Sequence, residues 1–383
     1  MKKKHKKIWL YSLISAFLLI ITLGVYVYTN VPLRTRIYRT ICKGNWNLTA
    51  DGDTIYATGY CGIRKYLIEY GTSKLVAENE SFLRHGIVGH GSAICKDRVF
   101  VACRSFLPGP DRNDNASYEG ELVILNKNNL DIVSEFALPS KMNDVVISDS
   151  IMLLSGINRF YLFNITQTDF PQKIYEHISD EYTEYQGSVI WKYERKRYAA
   201  FTLFTKGIDI WDITNCKEPK FIKNIKLSDI CAGNMHVQTL DIKEDYPYLY
   251  ATLAPMPQVY FKKDDVRGVI QLDISDVYAI KAKAYYVPKD DFWEPMPGDA
   301  HPRSIDIYKK YICLSAATSG AAIFKISDNG LLEYKGIREI SNSHDQIFPI
   351  CTTESGWLVS GDWNWNTIHI TTVPLKWTNR SLN

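Results

Sequence analysis

The feature that most constrains the fold of this 383-residue chain is a short apolar segment that recurs seven times. Each copy has the composition of a short apolar β-strand, with turn-forming residues beside it. Successive copies begin 44 to 63 residues apart, and one large loop accounts for the widest gap. The copies are DTIYATG (53–59), DRVFVAC (97–103), DSIMLLS (149–155), KRYAAFT (196–202), YPYLYAT (246–252), KKYICLS (309–315) and SGWLVSG (355–361). Such a period indicates a repeat architecture.

Each repeat contains further strands around this segment. A strand with Gly at its entry and Asp, Ser, Thr or Asn at its exit follows it, as in GIDIWDIT (207–214) and GVIQLDIS (268–275). Another strand precedes it, as in RSIDI (303–307), and a fourth completes the unit. Four strands in about 45 residues, repeated seven times without helical periodicity after Tyr28, predict an all-β, seven-bladed β-propeller.

Two of these units resemble a known repeat. GIDIWDITNCKEPKFIKNIKL (207–227) and GVIQLDISDVYAIKAKAYYVP (268–288) are similar to the LVIVD repeat of bacterial surface and secreted proteins. In that repeat an apolar strand ends in Asp, then Ser or Thr, then a Pro-containing turn. The resemblance is good in units four and five, fair in six, and weak in one, three and seven. It implies a propeller fold at the cell surface and no catalytic residue, because most members of that family have no known biochemical function.

The N-terminus has the pattern of a membrane anchor. Five of residues 2–7 are lysines, and they precede a 21-residue stretch, 8–28, that has no charged side chain. At about 1.5 Å per residue, a helix of this length crosses a hydrocarbon core of roughly 30 Å. The lack of a good small-x-small cleavage site favours an uncleaved transmembrane signal anchor over a cleaved signal peptide. The lysines place the N-terminus in the cytoplasm, so the remaining chain is expected outside it, at the cell surface or in the envelope.

The same patterns predict how the chain is divided. We expect a basic cytoplasmic tail at 1–7, the anchor at 8–28, a linker with a ring-closing strand at 29–45, the propeller at 46–374 and a C-terminal tail at 375–383. The seventh repeat lacks an outer strand, and Leu33 to Ile41 has no other obvious partner. We therefore predict that this stretch pairs with the last blade, which would leave no blade with an open edge.

The net charge and the spacing of the cysteines exclude several classes of protein. The net charge is only +3, and the N-terminal lysines outweigh it, so the propeller lacks the basic surface of a nucleic-acid-binding protein. None of the eight cysteines forms a C-x-x-C pair, which excludes zinc-ribbon and dithiol redox motifs. Outside the cytoplasm Cys216 and Cys231 are candidates for a disulfide, and buried free thiols are the alternative.

One face of the predicted propeller carries nearly all of the long connections. Strands alternate in direction, so the connections between second and third strands share a face with those between blades. The long segments 104–120, 253–268, 288–300 and 361–366 all belong to this loop-rich face. Exposed aromatic side chains there would mark a protein or glycan contact surface; covering the blade tops is the structural alternative. The candidate binding residues are Phe292, Trp293, Arg303, Trp363 and Trp365.

Histidines recur near the entry of the innermost strand. His236, His301 and His344 each lie six residues before an Ile that ends such a strand, and His90 lies near the corresponding place. These imidazoles could bind a transition metal at the channel mouth; hydrogen bonding to a neighbouring blade is the structural alternative. Two functions therefore stay open. One is a membrane-anchored propeller that binds a protein or glycan, and the other is a metal-dependent oxidoreductase or lyase.

Overall fold

The computed structural model describes residues 15–23, 44–60, 62–81, 87–105, 120–231, 237–255, 266–288, 303–316, 320–338, 347–362 and 368–373. Residues 15–23 are helical, and a four-residue helix, Leu227–Ile230, precedes the fifth blade. No helix within these ranges combines the length and the apolar character that a membrane crossing requires. The rest of the expected anchor and the expected ring-closing stretch lie outside the described residues.

The described strands form seven antiparallel sheets. The bounds are β1 (Asn45–Asp51), β2 (Thr54–Gly59), β3 (Gly62–Glu69), β4 (Thr72–Asn79), β5 (Ile87–Cys95), β6 (Arg98–Ser105), β7 (Gly120–Asn126), β8 (Ile132–Leu138), β9 (Met142–Ser148), β10 (Ile151–Gly156), β11 (Arg159–Asn164), β12 (Gln172–Ile178), β13 (Ser188–Tyr193), β14 (Lys196–Thr202), β15 (Ile208–Asp212), β16 (Lys220–Ile225), β17 (Val237–Gln238), β18 (Ile242–Asp245), β19 (Tyr248–Pro255), β20 (Gly268–Asp273), β21 (Lys281–Tyr286), β22 (Ile305–Tyr308), β23 (Tyr311–Ser315), β24 (Ala321–Ile326), β25 (Leu332–Arg338), β26 (Ile347–Thr352), β27 (Trp357–Asp362) and β28 (Ile368–Thr372).

The sheets are the seven blades of a β-propeller, and each follows chain order from its inner to its outer strand. Blades one to four are β1–β4, β5–β8, β9–β12 and β13–β16. Blade five is β17–β21, with its inner strand in two pieces that both pair with β19, and blade six is β22–β25. Blade seven has three described strands, β26–β28. The recurring apolar segments are the second strands, which confirms the predicted fold.

The core lies between the blades, because each sheet buries both faces against its neighbours. Seven apolar clusters are present, and each joins two adjacent blades. The last of them packs Leu48 and Ile55 of blade one with Val359 of blade seven. At the same junction, the Ser355 amide donates a hydrogen bond to Asp53 Oδ1 at 3.1 Å. Packing between blades one and seven therefore closes the ring.

The connections differ between the two faces, as the sequence predicts. Six of the turns between first and second strands contain two residues, and in four of them the first residue is not glycine and has φ of 54–55°: Lys96, Asp149, Glu194 and Lys309. A positive φ at this place is typical of the tight hairpin turns that match strand twist. The long connections join second to third strands or successive blades. One face is therefore plain and the other is loop-rich.

Side chains on the inner strands link neighbouring blades around the central channel. Asp144 Oδ2 of blade three accepts a hydrogen bond from the Ser188 amide of blade four at 2.7 Å. In the same way Asp241 Oδ2 accepts from the Ile305 amide at 3.0 Å. Asp144 and Asp241 therefore occupy equivalent positions in blades three and five.

The candidate disulfide between Cys216 and Cys231 is not formed, and the alternative of free thiols holds for both. Cys216 follows the third strand of blade four, on the plain face, whereas Cys231 follows the helix on the loop-rich face. Both thiols are free, as are the other four cysteines in the described ranges. The Cys216 thiol donates instead to the Ile213 carbonyl at 3.2 Å. Closeness in sequence misleads here because a whole strand, β16, separates the two positions.

Candidate ligand site at the channel mouth

A cavity of ≈ 280 Å³ lies where the central channel meets the loop-rich face. Its walls come from the inner strands and from the connections next to them, and they include Trp46, His90, Arg104, Glu184 and Arg303. A second cavity of ≈ 780 Å³ occupies the plain end of the channel. Asn47, Asp144 and Lys243 line both cavities, so they mark the level at which the two meet.

One wall of the mouth is aromatic and cationic. The His90 ring stacks on Trp46 with centroids 4.9 Å apart, and the Arg303 guanidinium carbon lies 5.9 Å from the Trp46 ring centroid. His90 Nδ1 donates a hydrogen bond to the Asn143 carbonyl of the next blade at 2.7 Å. Burial, helped by the charges of Arg104 and Arg303, lowers the pKa of His90 to about 3. His90 is therefore neutral at physiological pH.

Arg104 lies beside Asn143 and the carboxylate of Glu184. Its Nη1 donates to Asn143 Oδ1 at 3.2 Å and lies 4.0 Å from Glu184 Oε1. The buried Arg104 Nε has no hydrogen-bond partner. Glu184 is held in place by Gln186 Nε2, which donates to Oε1 at 2.9 Å, and by the Tyr182 hydroxyl, which donates to Oε2 at 3.1 Å. Because an unpaired buried donor is costly, Arg104 gains from any acceptor that enters the cavity.

Lys243 extends into the channel among three carboxylates. Its Nζ lies 4.0 Å from Asp241 Oδ1. The negative charge of Asp241 is the main reason that the pKa of Lys243 is raised, and Asp306 and Asp144 add to it. Burial raises the pKa of Asp144 to about 6 and also raises that of Asp306. A single ammonium therefore holds together carboxylates from blades three, five and six.

The structure brings two of the predicted site residues to the channel mouth. Arg303 and His90 both line the cavity. His90 bonds to the backbone of a neighbouring blade, which is the structural alternative given above. Within the described part of the chain, no group of three or more His, Cys, Asp or Glu side chains is arranged to hold a metal ion. The other candidates lie outside the described residues: His236, His301, His344, Phe292, Trp293, Trp363 and Trp365.

The strand register changes the isoleucine from which the spacing of His301 is counted. Ile242, Ile305 and Ile350 pair with Ala251, Leu314 and Ser360, each of which is the last residue but one of the recurring segment in its blade, so these three isoleucines are equivalent. Ile305, and not Ile307, is thus the counterpart in blade six. His301 then precedes it by four residues, whereas His236 and His344 precede their counterparts by six. The predicted common spacing of six residues is therefore wrong for His301.

Several residues of the site are absent from the sequence-based prediction. Trp46, Asp144 and Lys243 lie on or beside inner strands, and Glu184 lies in the connection before β13. Arg104 belongs to β6, where it is paired with Gly120, and not to the loop that follows. A charged residue inside an otherwise apolar inner strand is the signal that could have identified Asp144, because one face of that strand lines the channel.

The sequence matches no protein-family model and no curated protein. Its fold is similar to that of the WD40 β-propeller domain of Doa1, with 10% identity and a TM-score of 0.54 over 87% of this chain and 94% of that chain. The periplasmic gluconolactonase PpgL of Pseudomonas aeruginosa is 13% identical, with a TM-score of 0.56 over 79% and 87%. BamB from Moraxella catarrhalis is 11% identical, with a TM-score of 0.51 over 87% and 95%. The likeness is one of fold.

Proposed function

We propose that this protein is a membrane-anchored, extracytoplasmic β-propeller that binds a protein or glycan partner through its loop-rich face. The channel-mouth cavity is its recognition site. The observation that carries the proposal is the position of this cavity, which is lined by Trp46, Arg104 and Arg303, at the face where the long connections attach. Buried arginine and aromatic side chains are the residues that dominate binding energy at interfaces.

Three further features support the proposed location. The lysine-rich start and the uncharged stretch 8–28 are typical of a signal anchor. Units four and five resemble the LVIVD repeat of bacterial surface and secreted proteins. One structural neighbour is described as periplasmic. Together these features favour an envelope protein whose propeller lies outside the cytoplasm.

Photo-crosslinking at two matched tyrosines tests which face binds the partner. Tyr182 lies on the loop-rich face and Tyr278 on the plain face, and their side chains are 64% and 63% exposed. Each is replaced in the full chain by a benzophenone amino acid, and cells that make the protein are irradiated. We expect adducts from position 182 at a yield about tenfold above position 278, because only the first lies beside the proposed recognition site.

The positions that form adducts show which face of the propeller binds the partner. Equal adducts from both positions, or adducts from position 278 alone, would refute recognition by the loop-rich face. Protease treatment of intact spheroplasts provides the topology control. An extracytoplasmic propeller is degraded under these conditions, whereas a cytoplasmic marker protein survives.

A further inference from the structure

The ionisable side chains that line the channel-mouth cavity balance one another. Because His90 is neutral, the lining carries three cations and three carboxylates: Arg104, Lys243 and Arg303, and Asp144, Glu184 and Asp241. Arg104 Nη1 lies 4.0 Å from Glu184 Oε1, and Lys243 Nζ lies 4.0 Å from Asp241 Oδ1. A charged ligand would give up its hydration without meeting a surplus of the opposite charge. The cavity therefore favours an uncharged ligand.

The hydrogen-bonding groups of the cavity suit a ligand that both donates and accepts. The buried Arg104 Nε has no partner, so it requires an acceptor. The Gln186 amide nitrogen already donates to Glu184 at 2.9 Å, so this side chain offers its oxygen, an acceptor, to a ligand. A hydroxyl group is both a donor and an acceptor. A ligand with several hydroxyl groups can thus bond to Arg104 and Gln186 together without adding charge.

Phe204 supplies an aromatic side chain to the same cavity. It lies in the turn between β14 and β15, lines the cavity and is partly exposed. Its φ is 52°, a conformation that favours glycine and is uncommon for a bulky residue. The Thr239 amide of the next blade donates to its carbonyl at 3.2 Å and holds it there. A phenyl ring kept at a strained position beside a cavity indicates a role in function.

The size of the cavity limits what can enter it. A water molecule takes about 30 Å³ in the liquid, so ≈ 280 Å³ corresponds to roughly nine waters. A single sugar ring with its hydroxyl groups has about twelve non-hydrogen atoms and matches this space, whereas two linked rings exceed it. Such a ring combines hydroxyl groups at its edge with C–H groups on its faces, which pack against an aromatic ring.

We propose that the cavity binds one uncharged sugar residue of a glycan. Phe204 packs against a face of the sugar ring, and the hydroxyl groups of the sugar bond to Arg104 and Gln186. This inference rests on the proposed function, because it specifies a glycan, rather than a protein, as the partner of the recognition site.

Thermal unfolding of the full chain, in a detergent without a sugar headgroup, tests the proposal. Common neutral monosaccharides are added singly as methyl glycosides at about 50 mM, and glycerol is the control for general stabilisation by polyols. The best sugar is compared with its uronic acid, which carries a carboxylate, and its amino form, which carries an ammonium. We expect a saturable rise of about 2 °C beyond glycerol, and both charged forms to lose most of it.

Substitution of Phe204 assigns the binding to this cavity. Phe204→Gly removes the ring, and because glycine adopts a positive φ without strain, the variant should stay folded. We expect the half-saturating concentration of the best sugar to rise about tenfold. Tyr70→Gly is the matched control, since Tyr70 has φ of 51° and is 98% exposed on the plain face, and it should leave the affinity unchanged.

A second variant keeps the test decisive if Phe204→Gly fails to fold. Arg104→Gln removes the unpartnered Nε donor and should also weaken the affinity about tenfold. Wild-type affinity in a folded Phe204→Gly protein, or in Arg104→Gln if the first does not fold, would overturn the proposal.

The failures of this inference and of the proposed function are distinguishable. If a charged form binds as well as its neutral parent, the cavity does not select an uncharged sugar and the inference is wrong. If no methyl glycoside exceeds glycerol while position 182 still forms adducts, the sugar inference is wrong, the proposed function stands and the partner is a protein. If position 182 also forms no adduct, both are wrong.

Discussion

Replacing Lys243 with Met is expected to destabilise the propeller by about 2–3 kcal/mol at neutral pH. The ammonium of Lys243 is the charge that compensates Asp241, Asp306 and Asp144, and Met preserves the length of the side chain without it. Breaking a dry buried ion pair costs about 3–5 kcal/mol. We expect a smaller loss of stability here, because 42% of the Lys243 side chain is accessible to solvent in the channel. That solvent screens the charges.

The same substitution should change how stability depends on pH. The pKa of Asp144 rises from 3.8 to about 6, so between these values the folded protein binds more protons than the unfolded chain. Stability contributed by this group therefore falls as the pH rises through that window. Lys243 lowers the pKa of Asp144 and of Asp306, so its loss extends the window to higher pH. The difference in the free energy of unfolding between the wild type and the variant should therefore shrink as the pH is lowered below about 6, where Asp144 is protonated in both.

Chemical denaturation of the wild type and the variant across this pH range provides the measurement. Lys192→Met is the matched control, since Lys192 pairs with Asp149 at the surface and its side chain is 47% exposed. Solvent screens such an exposed pair, so this control should unfold almost like the wild type. A Lys243→Met protein as stable as the control at neutral pH would show that the three carboxylates do not depend on the ammonium.

Replacing Phe160 with Ala should have the largest effect on stability, about 3–5 kcal/mol. Phe160 is fully buried between blades three and four, and its ring centroid lies 4.7 Å from that of Phe201 and 5.1 Å from that of Trp211. Truncation to Ala removes these contacts and leaves a cavity that rigid sheets on both sides cannot fill. Because the ring must close through every junction between blades, loosening this one weakens the whole fold.

Two comparisons separate packing from a general effect of mutation. Phe160→Leu keeps most of the buried volume and should cost clearly less than Phe160→Ala. Phe221→Ala removes an aromatic ring that is 52% exposed on the outer strand of blade four, and should cost no more than about 1 kcal/mol. Similar unfolding midpoints for Phe160→Ala and Phe221→Ala would contradict the packing shown by the structure.

The fold could be predicted from the sequence because its determinants are local and repeated. The second strands are continuous runs of buried, mostly apolar residues, because both faces of each sheet pack against neighbouring blades. The turns that follow the first strands occur at the same place in several units. Within the described residues, the propeller adds to this pattern only the four-residue helix Leu227–Ile230, and its strands form no crossover. Seven copies of one local signal were therefore enough to predict the blade count.

The site could not be predicted in the same way, because it exists only after the ring closes. Asp144 and Lys243 are about a hundred positions apart in sequence, and closure places both at the centre. Spacing also misled for His301, since only strand register shows that Ile305 is the counterpart of Ile242. Arg303 was identified because it lies two positions after His301, near the predicted channel mouth, whereas Trp46 carried no such signal.

Recognition at the channel mouth is tested most directly by repeating the crosslinking from position 182 in a chain that also carries Arg303→Gln. We expect the yield of adducts to fall by about tenfold while the melting temperature stays within about 1 °C of that of the wild type, because a bond to the partner is lost and the fold is kept. Undiminished adducts in this chain would contradict the assignment of the cavity as the recognition site.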